Sequence, residues 1–419
     1  MSRIAIVGAG ISGMAAAYFL SRKHEVHLFE QEERLGGHTH THLIDTAAGP
    51  LAIDTGFIVH NDRTYPNLVR LFAELKVESQ PSDMSFAVTC YESGFEYSSR
   101  GVDGFFAQRR NFLRGDHYKL LAEIVRFNRG AQQWLQREPD ASVQLREYVE
   151  KARLSGDFAR YYLYPMACAV WSTSPEEMHS FPALTLLRFL DNHGMLGINT
   201  HPRWKSVRGG SHSYIAPLTA AYQRNITTGA RIQRIARDAR GAEIHLSGAP
   251  PRRFDEVVLA CHGNQALALL EYPTEAERRI LGKFTTSRNE ACLHTDTALL
   301  PRRAEARASW NYNLGLRNGH SKSAATLTYH MNRLQALSAV KEYCVSLNAE
   351  GIVDDKKVLK RMTYFHPLYT LDAIRAQQHW GEISGHDHTH YCGAYWFYGF
   401  HEDGLNSALR VVNTLGVSW

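Results

Sequence analysis

The sequence predicts an α/β fold, and three of its features lead to that prediction. Residues 3–30 alternate a short apolar strand, a glycine-rich turn, an alanine-rich helix and a second strand. Beyond them, stretches of helical periodicity and of strand-like alternation follow one another, with no internal repeat and no low-complexity linker. The chain has 419 residues, 44% of them hydrophobic, which suffices for one large domain or two interleaved domains.

The first element is a dinucleotide-binding fingerprint. A strand at residues 3–7 leads through the turn into a helix at about residues 12–22, and a second strand at residues 24–29 ends in Glu30. Gly8 permits the tight turn, Gly10 lets a pyrophosphate approach the backbone, and Gly13 lets the helix pack closely on the strand. Glu30 can accept hydrogen bonds from an adenosine ribose, and the helix N-terminus attracts phosphate. The turn consists of Gly8, Ala9, Gly10, Ile11, Ser12 and Gly13.

The residues after Glu30 distinguish two dinucleotides. Residues 34–37 have the sequence Arg-Leu-Gly-Gly, and residues 54–56, after a short hairpin, have the sequence Asp-Thr-Gly. In these stretches the chain resembles the flavin amine-oxidoreductase superfamily, whose members carry a glycine pair just beyond the ribose-binding acid. The resemblance implies FAD rather than NAD. It also implies a Rossmann-like FAD-binding domain of the monoamine-oxidase (GR2) type with an inserted, mixed α+β substrate domain.

The same resemblance implies that the domains are discontinuous. The FAD-binding domain is expected at residues 1–76, 203–265 and 378–419, and the substrate domain at residues 77–202 and 266–377, with a helical part that could face a membrane. A strand at residues 254–260 would return to the first sheet. Residues 399–404 are expected to form a loop, and residues 405–415 a helix whose N-terminus suits negative charge on the reduced flavin.

The set of residues expected to bind the cofactor follows from these segments. It comprises Gly8, Gly10, Ile11, Ser12, Gly13, Glu30, Gln31, Arg34, Leu35, Gly36, Gly37, His38, Thr55, Gly56, Phe57, Arg231, Ile232, Cys261, Tyr395, Gly399, Glu402, Asp403, Gly404 and Leu405.

A narrower resemblance points to lipid chemistry. The chain resembles bacterial FAD-dependent oxidoreductases that include the flavoprotein half fused to some plant cyclopropane fatty acid synthases. This implies oxidation or desaturation of a fatty-acyl chain, with a lipid methyltransferase as an expected partner. His38 replaces the arginine, and Ala408 the glycine, of many relatives, which weakens a transfer of amine-oxidase chemistry. The matching stretches are residues 54–57, 64–67, 82–86, 207–214, 293–296, 309–312, 329–332, 365–367 and 399–404.

Two alternatives remain open beside acyl oxidation: a small-amine oxidase, and a non-catalytic flavoprotein subunit that binds lipid for a methyltransferase. Hydride removal from an apolar carbon needs little acid–base help beyond a group that takes a proton. His401 and Glu402 are the first candidates because their loop should adjoin the flavin, and His366 and Lys205 are the second. The alternating histidines at residues 38–42 and 386–390 lack a known ligand spacing, so no metal site is assigned.

Residues 105–134 are predicted to form a long, basic, amphipathic helix. Two interpretations remain open: a core-facing helix with a solvated basic face, or a surface that docks on anionic lipid headgroups. The basic residues are Arg109, Arg110, Arg114, Lys119, Arg126 and Arg129.

The remaining composition limits the partners and the compartment. Lys and Arg number 47 against 42 Asp and Glu, which is far from the charge of a nucleic-acid-binding protein. No apolar run reaches the roughly 18 residues of a membrane span, and the N-terminal run is too short for a signal peptide. The six cysteines are scattered. We therefore expect a cytoplasmic protein that could attach peripherally to the inner face of the membrane.

Overall fold

The computed structural model describes residues 1–137, 139–197, 200–315 and 326–419. Its strands are β1 (Arg3–Val7), β2 (Glu25–Phe29), β3 (Thr41–Thr46), β4 (Gly49–Asp54), β5 (Val59–Asn61), β6 (Ser79–Pro81), β7 (Phe86–Cys90), β8 (Phe95–Ser98), β9 (Trp204–Val207), β10 (Ile226–Thr227), β11 (Ile232–Asp238), β12 (Gly241–Leu246), β13 (Arg252–Phe254), β14 (Glu256–Leu259), β15 (Thr286–His294), β16 (Trp310–Leu314), β17 (Thr326–His330), β18 (Cys344–Leu347), β19 (Val358–Pro367) and β20 (Thr389–Tyr391).

The helices alternate with these strands along the chain. They are α1 (Ile11–Leu20), α2 (Pro66–Glu74), α3 (Gly101–Phe105), α4 (Gly115–Leu135), α5 (Leu145–Lys151), α6 (Gly156–Phe158), α7 (Tyr164–Trp171), α8 (Pro175–His179), α9 (Ala183–Asn192), α10 (Ile215–Thr219), α11 (Gly263–Leu269), α12 (Glu275–Leu281), α13 (Met331–Leu334), α14 (Leu371–Gln377) and α15 (His401–Thr414).

A five-stranded parallel sheet in the order β10-β2-β1-β14-β20 carries the N-terminal fingerprint. Its strands are short and apolar because both faces are covered, which is typical of parallel sheets. Ile4 lies opposite Glu256 in the pairing of β1 with β14. The predicted return of the chain to the first sheet is therefore confirmed, although Arg252–Phe254 belongs to a separate three-stranded sheet.

The second layer is a seven-stranded mixed sheet in the order β19-β15-β18-β17-β16-β7-β8. Helices α4 to α9 cover it and share with it one apolar core, which includes Phe127, Phe158 and Leu293. The observed architecture confirms the predicted α/β class with a mixed α+β insertion. Residues of α11, α12 and α14, which the predicted boundaries assign to the substrate domain, contribute buried side chains to the core around the parallel sheet.

The closing segment differs from its prediction. Helix α15 begins at His401, so residues 401–404 form its first turn and not a loop. The carboxylate of Asp403 accepts the backbone N–H of Phe400 at 2.9 Å, and this capping contact allows the helix to begin four residues early. The strand before it, β20, ends at Tyr391, where its pairing with β14 ends.

The basic stretch at residues 105–134 is not one helix. Arg109–Leu113 forms a 3₁₀ turn, Arg114 is extended, and α4 begins only at Gly115. Residues 203–214 contain β9, which pairs with β5 and β6. Among the described residues, no helix is both long and apolar enough to cross a membrane.

Candidate active site

The turn between β1 and α1 leaves an open recess, the glycine bay, in front of the N-terminus of α1. Gly8 has a positive φ of 103° and donates its N–H to the Phe29 carbonyl at 2.8 Å. No side chain caps α1. A Cβ on Gly13 would overlap the Gly8 carbonyl oxygen, whereas a Cβ on Gly10 would point into open space. The open N-terminus and the space before Gly10 fit a pyrophosphate.

Glu30 lies beside this bay and is only 7% exposed. Its carboxylate accepts the backbone N–H of Ala9 at 2.7 Å and that of Glu32 at 2.9 Å. Glu30 therefore links the glycine turn, through Ala9, to the loop after β2, through Glu32. An ionised carboxylate has about four lone-pair positions, so these bonds leave capacity for the ribose hydroxyls expected from the sequence.

The second glycine pair packs directly on the first turn. Gly36 donates its N–H to the Ala9 carbonyl at 2.9 Å, and a Cβ on Gly37 would lie 3.0 Å from the Gly10 Cα. A Cβ on Gly56 would overlap the His38 carbonyl oxygen. The three glycines let separate segments converge behind the place where the cofactor would lie.

One cavity of about 1900 Å³ runs from these glycines across the molecule. Ordinary small-molecule pockets occupy about 300–1,000 Å³, so the cavity has room for a dinucleotide and a substrate together. One part is lined by the glycine turn, Glu30 and Arg231, and the far part by apolar residues of α4 and α7.

Neutral imidazoles line the middle of the cavity. The ring of His38 stacks on Tyr364 with a centroid distance of 5.3 Å and lies 5.2 Å from the ring of His366. Burial lowers the pKa of His38 well below its usual value and lowers the pKa of His366 to about 4. Burial also lowers the pKa of His262. At neutral pH the wall therefore carries ring donors and acceptors but no imidazolium charge.

A chain of amides determines the tautomer of His366. Asn348 accepts the backbone N–H of Glu290 through Oδ1 at 3.1 Å, so its Nδ2 is the group that donates to Asn289 Oδ1 at 2.9 Å. Asn289 then donates through Nδ2 to His366 Nδ1 at 3.0 Å. Nδ1 is thereby an acceptor, and in the neutral ring the proton resides on Nε2, the nitrogen left for the cavity.

His401 is placed at the cavity by the first turn of α15. Its ring stacks on Phe57 at 3.7 Å, and its Nε2 lies 2.9 Å from Thr39 Oγ1 and 3.3 Å from the Tyr214 hydroxyl. Burial lowers its pKa to about 3. Gly399 lines the same region, so the N-terminus of α15 faces the cavity, where it would favour negative charge.

Glu402 and Lys205 have other contacts. Glu402 accepts the backbone N–H of Asn67 at 3.1 Å and of Leu68 at 2.8 Å, so it caps α2 and does not line the cavity. Lys205 lines the cavity but holds Asp62 in an ion pair at 2.8 Å. The predicted cofactor residues absent from the cavity wall are Gly13, Leu35, Thr55, Glu402, Asp403, Gly404 and Leu405.

The sequence did not reveal Tyr364 or His262 as parts of the wall, or Asn289 as the hydrogen-bond partner of His366. Tyr364 and His366 are two residues apart on β19 and share one face of the sheet, and Asn289 lies opposite Tyr364 on β15. The alternation of Tyr364 and His366 was available as a signal. The pairing of β15 with β19 was not, because it joins segments 75 residues apart in the chain.

The alternating histidines are arranged differently in the two stretches of the chain. The rings of His40 and His42 lie 4.1 Å apart, whereas His388 has a positive φ and lies outside β20. His388 and His390 both lie within 3.5 Å of Glu256. Across the described ranges, no group of three or more His, Cys, Asp or Glu residues is arranged to hold a metal ion.

A comparison with family models decides the family. The model of the flavin containing amine oxidoreductases matches residues 11–326, about three quarters of the chain. The chain belongs to this family. It is accordingly an FAD-dependent oxidoreductase, and the glycine bay, Glu30 and the glycine pair are the parts of this family member that would hold the cofactor. No curated protein matches the sequence in a direct comparison.

Solved structures share the fold of this amine oxidoreductase at low sequence identity. A double mutant of putrescine oxidase has a TM-score of 0.71 at 13% identity, covering 99% of this chain and 98% of that one. The CLA-producing fatty acid isomerase from P. acnes has a TM-score of 0.71 at 16% identity, covering 99% of each chain. Cyclohexylamine oxidase from Brevibacterium oxydans IH-35A has a TM-score of 0.66 at 14% identity, also covering 99% of each.

The low pKa of His401 leads to a prediction about stability. The unfolded chain takes up a proton on this residue below about pH 6.5, whereas the folded protein does not until about pH 3. The free energy of unfolding should therefore fall by about 1.4 kcal/mol per pH unit below about pH 6.5 because of His401 alone. Denaturant titrations of the wild type and of His401→Gln should differ by this slope. Equal slopes would contradict the assignment of a neutral, buried His401.

Proposed function

We propose that this FAD-dependent oxidoreductase acts on a fatty-acyl chain, oxidising or desaturating it. The observation that carries the proposal is the far arm of the cavity. On α4 it is lined by Leu121, Ile124 and Val125, and on α7 by Ala169 and Val170. Residues 121–128 extend about 10 Å along a helix, so this wall matches an elongated apolar ligand better than a compact polar one.

The chemistry assigns distinct tasks to the parts of the cavity. FAD, when bound, supplies the acceptor for a hydride. The apolar arm excludes water and orients the chain, while the neutral His38 and His366 offer ring nitrogens beside it without burying a charge. His38 Nε2 is buried with no partner among the described residues, so the chain itself leaves this ring nitrogen unsatisfied.

The comparisons support the proposal without deciding the substrate. A fatty acid isomerase has the same overall fold as this chain, so the fold can accommodate acyl-chain chemistry. Putrescine oxidase and cyclohexylamine oxidase share that fold as well.

Anaerobic titration of the purified, yellow protein tests the proposed substrate class. We expect fatty acids, acyl thioesters or phospholipids to bleach the flavin, and primary amines to leave it oxidised. Bleaching by amines alone would contradict the proposal. Bleaching by no member of either class, with lipid still bound, would instead favour a non-catalytic subunit that presents lipid to a methyltransferase.

An amine oxidase is the second candidate, and an aromatic group in the cavity favours it. Trp171 and Tyr369 line the cavity with their rings 6.4 Å apart, and Tyr398 lines it nearby. Aromatic faces attract amine cations. The same rings are equally suited to contact an apolar chain. A small amine would leave the long apolar arm empty, so the arm favours the acyl substrate.

The apolar arm gives a prediction of its own. Val170 is half-buried and lines the arm, so Val170→Phe should fill part of it. The rate of flavin reduction by a long acyl chain should fall about 10- to 100-fold, because lost apolar contacts of this size are worth about 1–3 kcal/mol. A short acyl chain should be unaffected. Val340→Phe, the same change at a fully exposed residue, is the control. Equal loss for both chain lengths would contradict the assignment of the arm.

A further inference from the structure

An exposed apolar cluster lies where the 3₁₀ turn meets α4. Leu113 is 93% exposed, Phe112 is 41% exposed, and Tyr118 and Leu121 are similarly open. Single apolar residues on a surface need no explanation, but neighbouring ones often mark an interaction site. These four residues fall within ten positions of the chain and are defined here as the apolar cluster.

The cluster is held rigidly, so its exposure does not reflect a loose loop. Phe106 stacks on Phe112 with ring centroids 4.2 Å apart and planes within 7°. The Tyr118 hydroxyl donates to the Phe112 carbonyl at 3.2 Å. Nε2 of His117 lies 2.8 Å from the Phe105 carbonyl oxygen. The apolar side chains are therefore presented to solvent in a fixed arrangement.

The stretch that carries the apolar cluster is also rich in basic side chains. Residues 101–130 contain six Lys and Arg against three Asp and Glu. Arg109 pairs with Asp103 and Arg114 lies 3.7 Å from Asp116. Arg110 and Lys119 are exposed, and neither forms an ion pair with any carboxylate in the described part of the chain. The cluster therefore combines protruding apolar groups with cationic groups that are free to meet anions.

The apolar arm of the cavity reaches the surface at this cluster. Leu121 is 40% exposed and also lines the cavity. Ile124 and Val125, one turn further along α4, line the arm behind it, and Phe105 lines it from the preceding helix. An acyl chain that left the arm beside Leu121 would emerge among the apolar side chains of the cluster.

We propose that the apolar cluster, together with Arg110 and Lys119, docks reversibly on an anionic lipid bilayer and that the acyl substrate passes from the bilayer directly into the arm. The proposal deepens the function proposed above and rests on it for the identity of the ligand. Apolar side chains that enter the headgroup region and cations that meet anionic lipids stabilise such docking together. Because the charges are at the surface, added salt should weaken it.

Vesicle co-sedimentation of the full chain with FAD bound tests the docking. We expect binding to vesicles of equal parts phosphatidylcholine and phosphatidylserine, and little binding to phosphatidylcholine alone. Arg110→Glu/Lys119→Glu should lower partitioning onto the anionic vesicles about tenfold or more. Arg224→Glu/Arg240→Glu, the same change of charge at exposed residues of the other half of the protein, should leave it unchanged. Leu113→Ser should weaken binding, and Tyr272→Ser, at another exposed residue, should not.

The vesicle experiments test the docking, and a separate measurement in micelles tests the substrate class. Equal binding to both kinds of vesicle, or full binding by Arg110→Glu/Lys119→Glu, would overturn the proposal. Absence of vesicle binding by the wild type would also overturn the docking proposal. The apolar cluster would then be a candidate binding site for a protein partner such as a methyltransferase. Bleaching of the flavin by substrate in neutral detergent micelles should be the same in this variant and the wild type. A failure of bleaching in micelles by both would instead count against the acyl substrate.

Discussion

Gly10→Leu should yield a folded protein that retains no FAD and has no activity. A side chain at this position would point away from the protein into the open space before α1, where no atom lies within 4 Å of the position that a Cβ would take. We expect the pyrophosphate in that space, so the leucine would exclude it while leaving the packing of β1 and α1 intact. The measurement is the ratio of flavin to protein absorbance after purification, with circular dichroism to show that the fold persists.

One other glycine serves as a control for this variant, and a second is unsuitable. Gly156→Leu, where a side chain would also meet nothing within 4 Å and which does not line the cavity, should keep its FAD. Gly13→Ala would overlap the Gly8 carbonyl oxygen and damage the fold itself, so it cannot report on the cofactor alone. Full flavin content in Gly10→Leu would disprove the assignment of the bay to the pyrophosphate.

The nucleotide half of the site could be predicted from the sequence because its determinants are local. A glycine with positive φ, a glycine at a close approach and an acid at the end of the second strand lie within 30 residues, and each has one structural use there. The structure adds that Glu30 also accepts the N–H groups of Ala9 and Glu32. The sequence alone does not reveal such bonds, because it does not show which backbone N–H groups donate to the carboxylate of Glu30.

The substrate half could be predicted only coarsely because its determinants are distant in the chain. The helical character of residues 115–135 was visible, but not the break at Arg114 that turns Phe112 and Leu113 outward. Glu402 was a reasonable candidate by its position near a glycine loop. Its carboxylate instead caps α2, a helix more than 300 residues earlier, and only tertiary structure brings the two together.

Replacement of His366 should strongly slow flavin reduction by the substrate. Nε2 of His366 carries the proton at neutral pH and is left for the cavity, so it can donate a hydrogen bond to an oxygen of a bound ligand. Loss of one well-placed donor in a water-excluded site costs about 100- to 1,000-fold in rate. His366→Phe should therefore show a loss of this size, and His366→Gln, which keeps an N–H donor, should recover part of it. Anaerobic stopped-flow measurement of flavin reduction is the assay.

Asn289→Asp should change the pH dependence of that reaction in a defined direction. Asn289 is 2% exposed and donates to His366 Nδ1, which keeps the proton on Nε2 at every pH above about 4. A carboxylate in its place would attract the proton to Nδ1 and raise the pKa of His366. Below that raised pKa both ring nitrogens would donate; above it Nε2 would become an acceptor and the donor to the cavity would be lost. Flavin reduction in Asn289→Asp should thus decline as pH rises through neutrality, while the wild-type rate stays level. Parallel pH profiles would show that His366 does not act through its Nε2 proton.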